Sequence, residues 1–178
     1  MKVYMKIKQY KLFQFKSNRY GFIKTTYYQN PISHVEMFLH YGYGYVSRAG
    51  GPIPFLDSLH APNGECGTTI EMVDLNVDTQ NDLIYLGEVF DAYEANMTDE
   101  EFNIKYNNMN ALQLCQNNIA DCAVMTKDNF VHLLNAWEKF WENKSPFILL
   151  YLDDKNWYNA LPFDSQQAME DFIAAHMQ

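Results

Sequence analysis

The sequence predicts an α+β fold in one domain spanning residues 1–178. Three observations carry this. Lys2–Lys8 alternates lysine with apolar residues at the period of a strand. Phe130, Leu133, Leu134, Trp137, Phe140 and Trp141 recur at helical spacing. The remaining strand-like runs come as hairpins separated by helices, without regular βαβ alternation.

The chain begins with that alternating strand. It puts Val3, Met5 and Ile7 on one face and lysines mostly on the other. Residues 10–15 continue it, 17–21 read as a turn, and 22–28 return as a second strand. The lysines of this hairpin would keep an exposed sheet edge from mispairing, or would bind. Pro31, with Ser33 and Glu36 at capping-box spacing, starts a short helix ending near His40. Residues 41–67 read as a long irregular loop rich in Tyr, Gly and Pro. Residues 68–77 and 83–90 read as strands joined by the polar turn 78–82. Thr98 and Glu101 open a helix running to about Asn117, weakened by Asn103, Asn107, Asn108 and Asn110. Residues 119–125 are extended. Thr126 caps the strongest helix, and residues 143–146 stop it. Residues 147–152 form an apolar strand buried on both faces. Asp153–Asn156 turn it, residues 157–163 return, and Asp164 caps a last helix with Met169, Phe172, Ile173 and His176 inward. The predicted order is β-β-α-loop-β-β-α-β-α-β-β-α.

Charge is sorted along the chain. Residues 1–24 hold seven of the thirteen Lys and Arg and no acid, so the formal −9 divides into +7 before residue 25 and −16 after it. Eleven acidic residues fall between 65 and 101, and no Lys or Arg occurs from 49 to 104. Such a body repels nucleic acid and attracts basic partners. Tyr41, Tyr43 and Tyr45, separated by glycines, suit an aromatic contact loop or a loop folded over the core. The expected partner-binding residues are therefore Tyr41, Tyr43, Tyr45, Glu65, Glu71, Asp74, Asp78, Asp82, Glu88, Asp91 and Glu94.

Signals for chemistry are weak by comparison. Cys66, between Glu65 and Gly67, is the one candidate nucleophile, with His60, His34 or His40 as base. Glu65 beside it would raise the thiol pKa. His34 and His40 are six apart, and Cys115 and Cys122 seven apart, neither spacing suiting a metal site. Asp153–Asp154 reads as turn chemistry. No phosphate-binding loop is present. We expect no enzyme, metal or cofactor. Three cysteines do not look like a disulfide framework, and no apolar run or signal-peptide pattern stands out, so a cytoplasmic location is expected.

In overall character the chain resembles the small acidic immunity proteins of bacterial toxin systems, such as those of contact-dependent growth inhibition. The stretch Phe147–Phe172, a hairpin followed by a helix, carries the same style. The resemblance implies a cytoplasmic protein that covers the active site of a basic nuclease toxin domain. It has no diagnostic motif, so it assigns no residue. A small cysteine-dependent enzyme using Cys66 and a self-associating adaptor remain the other readings.

Overall fold

Two antiparallel four-stranded sheets organise the chain, and helices fill the space between them. The computed structural model describes residues 5–16, 19–25, 32–59, 67–70, 73–88, 97–119 and 121–176. The first sheet has the order β2-β1-β7-β8, with β1 at Ile7–Lys16, β2 at Arg19–Thr25, β7 at Phe147–Asp153 and β8 at Tyr158–Phe163. The second has the order β3-β4-β5-β6, with β3 at Gly67–Ile70, β4 at Val73–Asp78, β5 at Leu83–Glu88 and β6 at Asp121–Thr126. Neighbouring strands are antiparallel throughout. The α+β class expected from the sequence is the observed one.

The largest apolar cluster draws on both sheets and on the helices between them. Phe13, Ile148, Leu150 and Ala160 come from the first sheet, and Val73, Leu75, Ile84, Leu86 and Met125 from the second. Helix α1 (Ile32–Met37) touches β1, β5, β6 and β7; helix α6 (Lys127–Asn143) touches β5, β6 and β8. Burying large apolar side chains contributes about 1.5–3 kcal/mol each, so this shared centre is the main source of cohesion. Helix α7 (Gln166–His176) covers the other face of the first sheet, where Met169 and Ile173 pack with Tyr10, Leu12, Leu149 and Tyr151. Helix α5 (Ala111–Gln116) covers the other face of the second, with Leu114 and Cys115 against Tyr85.

Helix α6 is formed as its sequence dictates. The Thr126 side chain accepts from the Asn129 N–H at 3.1 Å, and Phe130, Leu133, Leu134, Trp137 and Phe140 are buried. Lys144, in the left-handed region at φ 51°, ends it. Strand β7 is buried on both faces. Asp153 Oδ1 accepts from the Lys155 and Trp157 N–H groups at 2.9 and 2.8 Å, which is the turn role expected of it.

Six local expectations need correction. The supposed loop at 41–67 is helical over much of its length. Helix α1 runs through a π-helical turn at Phe38–Gly42 directly into α2 (Tyr43–Arg48), and Gly50 and Gly51 then lead into α3 (Pro52–Ser58). Phe38, Leu39, Val46, Phe55 and Leu56 are buried, so tertiary packing overrides the Gly and Pro signals. Ser33 lies inside α1 and is no cap.

The single strand at 68–77 is two, β3 and β4, paired with Thr69 opposite Asp74 and Ile70 opposite Val73. The helix from 98 to 117 is also two. Its Thr98–Glu101 capping box forms, and α4 (Asp99–Lys105) follows. Asn107 and Asn108 then adopt positive φ, at 54° and 56°. A second capping box between Asn110 and Gln113, at 2.9 Å each way, starts α5. Asparagine tolerates the left-handed region, and the Asn-rich middle makes the break. At the last helix the cap is Ser165, whose hydroxyl accepts from the Ala168 N–H, and not Asp164.

The sixth correction concerns the basic hairpin. β1 lies between β2 and β7, so it is no edge. The register shifts between Ile7 and Gln9, and beyond it Lys11 lies opposite Leu150 on the inner face. Lys11 is buried there and ion-paired to Glu36. Lys2 and Val3, the turn residues 17 and 18, residues 26–28 and Pro31 lie outside the described residues.

Candidate functional site

Helix α2 and its π-helical entry display the aromatic residues singled out in the sequence. Tyr41 and Tyr45 are 55% and 45% exposed, and stand four residues apart on one side. The Arg48 guanidinium lies 4.4 Å from the Tyr45 ring centroid, and its Nε donates to the Gly44 carbonyl at 3.1 Å. Ile53 of α3 adds a further exposed apolar side chain. Tyr43 is different. It is half-buried and packs against the core, and its hydroxyl bonds Glu138 of α6. Burial raises its pKa most, followed by that hydrogen bond and the charges of Glu138 and Glu142.

Packing fixes this arm. Phe38 is buried against Phe55 and Phe130, with ring centroids 6.3 and 5.4 Å away. A Cβ at position 42 would stand 2.7 Å from the Phe38 ring, so Gly42 is needed for the π turn to close over it. The helix is thereby held with Tyr41 and Tyr45 outward.

The acidic candidates divide. Asp74 is buried and accepts from the Thr69 hydroxyl. Asp78 is buried too, and its carboxylate is fully occupied. It accepts from Asn81 Nδ2 at 2.8 Å, from the Gln80 and Asn81 N–H groups at 3.0 and 3.1 Å, and from Gln116 Nε2 at 2.8 Å. The Asn81 side chain is the main cause that holds its pKa below the ordinary carboxylate value. These two residues tie the second sheet together and present no carboxylate to a partner. Asp82 is exposed at the β4–β5 turn, with φ 57°. Glu88 ends β5. Glu65, Glu71, Asp91 and Glu94 lie outside the described residues, as do Cys66 and His60.

Two groupings escaped the sequence. The first is Lys11, Glu36 and His40. The His40 ring meets Phe13 and Trp137 edge-on, at 6.0 and 6.3 Å between centroids. Burial lowers its pKa most; Glu36 opposes this and Lys11 adds to it. The protonated form of His40 is thereby disfavoured beside the ion pair. The short spacing of Glu36 and His40 could have suggested their electrostatic coupling, but the facing lysine could not be read from spacing. The second grouping is Cys115 of α5 and Cys122 of β6, whose Sγ atoms are 2.6 Å apart. Among the described residues no group of three or more His, Cys, Asp or Glu could hold a metal ion. No helix there is long and apolar enough to cross a membrane.

The fold and these groupings define an α+β protein with two helix-bridged antiparallel sheets. No protein-family model, curated protein or solved structure matches the chain.

Proposed function

We propose that this is a non-enzymatic binding protein that neutralises a basic protein partner, as an immunity protein covering the active site of a cognate nuclease toxin. The observation that carries this reading is the rigid presentation of Tyr41 and Tyr45 to solvent on a chain whose residues 25–178 carry a formal −16. Tyrosine makes a good anchor because its large ring buries area with little rotamer entropy to lose. The surrounding field raises encounter with a basic cleft, and carboxylates there take the place of nucleic-acid phosphates. Exposed carboxylates that could serve include Asp82, Glu100 and Glu142. Asp74 and Asp78 no longer belong to the proposed contact set.

The test is capture of the partner from the native host, then stopped-flow association at rising salt. The expected partner is basic, and its association rate falls about tenfold or more between low and physiological salt. Replacing Tyr41 and Tyr45 by Ala is expected to raise the dissociation rate and spare the salt slope. An acidic partner, or a rate indifferent to salt, overturns the reading.

A further inference from the structure

Cys115 and Cys122 sit across the seam between α5 and the second sheet. Helix α5 is short, six residues long. Leu114 and Cys115 are buried against Tyr85, and Gln116 reaches the Asp78 carboxylate at 2.8 Å. Cys122 lies on β6 opposite Gly87 of β5. A Cβ at position 87 would stand 2.7 Å from the Cys122 sulfur, so the glycine makes the space in which that sulfur turns toward α5. The two Sγ atoms touch at 2.6 Å, and Cys122 keeps partial access to solvent.

We propose that this pair is a reversible oxidation site: a hydroperoxide converts the two thiols to an intramolecular disulfide that pins α5 to the sheet. Two sulfurs already in contact across two elements need little backbone movement to bond. The electronics divide the labour. The hydrogen bond from Cys122 holds the Cys115 thiol below its ordinary pKa, and the same contact pushes Cys122 up. Proton loss from the pair is thereby favoured at Cys115, while Cys122 is its partner thiol and the member that keeps access to solvent.

The Cys115 thiolate attacks one peroxide oxygen. The O–O bond breaks, hydroxide leaves, and Cys115 becomes a sulfenic acid. The Cys122 sulfur then attacks the Cys115 sulfur. The S–O bond breaks, the S–S bond forms, and the departing hydroxide takes the Cys122 proton as water. Two sulfurs are oxidised by one electron each, and the peroxide is reduced to water. An external dithiol reverses the bond by exchange.

The experiment treats the full chain with stoichiometric hydrogen peroxide, alkylates the remaining thiols and maps the peptides by mass. The expected product has lost the mass of two hydrogen atoms in a peptide joining positions 115 and 122, and dithiothreitol restores it. Amide hydrogen exchange over residues 111–119 is expected to slow by roughly tenfold to a hundredfold in the oxidised form. Cys122→Ser is expected to stop at a sulfenic acid on Cys115, trapped by dimedone. The site is refuted if both cysteines remain open to alkylation, or if either pairs with Cys66 instead. Unchanged exchange in the cross-linked protein refutes the pinning of α5. The mass map needs no variant, so a poorly folding substitution leaves the question decidable.

Discussion

Asn129 stands in for a missing strand. β8 is the last strand of its sheet, and its backbone at Tyr158 has no further neighbour. The Asn129 side chain supplies both partners: Oδ1 accepts from the Tyr158 N–H, and Nδ2 donates to the Tyr158 carbonyl, each at 2.8 Å. All of this is buried, so removal leaves a donor and an acceptor without water or protein to satisfy them. Asn129→Ala is expected to cost about 3 kcal/mol, read as a lowered urea midpoint with an unchanged slope. Position 129 looked in the sequence like one polar residue near the start of α6. Its role depends on where β8 lies, which no local pattern encodes. The residues that α6 buries were legible, because their spacing alone defines a face.

Helix α5 is tied to the second sheet by a polar contact as well as by packing. The Asp78 carboxylate closes the β4–β5 turn and holds Gln116 at the end of α5, so one group organises two elements. Its folded pKa is depressed below 3.8. The folded state then binds fewer protons than the unfolded chain as acid is added. The stability it contributes is fully present above 3.8 and is lost as pH falls through the folded value. Urea unfolding across that range should show a falling midpoint, with a shallower fall in Asp78→Asn. In the sequence Asp78 read as one more surface charge, since a carboxylate in a turn looks alike whether it serves solvent or backbone. The β3–β4 break did leave a trace: the inward positions change parity between Ile70 and the run Val73, Leu75 and Val77. A single strand without a bulge cannot do this.

At the scale of the whole molecule, one buried ion pair joins sheet to helix. Lys11 projects from the inner face of the first sheet to Glu36 on α1, and both side chains are nearly enclosed. Glu36→Gln leaves the ammonium without its charge partner and is expected to cost about 3 kcal/mol. The double variant Lys11→Met, Glu36→Leu should recover most of that loss, because an apolar pair of similar volume suits the site. Guanidinium melts of the three proteins decide it. Unbroken alternation would keep Lys11 on the face of Ile7; the register shift after Ile7 moves it to the opposite, inner face toward α1, and no local pattern names Glu36 as its partner. The charge sorting was legible from counting alone. Its meaning changes, since a basic residue of the first strand is spent inside the core and two carboxylates of the acidic stretch are spent inside the second sheet.

The order of the first sheet also has a consequence for synthesis. β1 takes β7 as its neighbour, pairing Gln14 with Phe147, so it waits for a strand made more than a hundred residues later. At ordinary ribosome speeds that delay is on the order of ten seconds. Throughout it, Leu12 and Phe13 have only the β2 side of their sheet available, while the meander β3-β4-β5 can already pair with itself. The second sheet is therefore the natural first structure on the ribosome. The hairpin of β1 and β2, lysine-rich and acid-free, is the part of the nascent chain that must stay dispersed until β7 arrives.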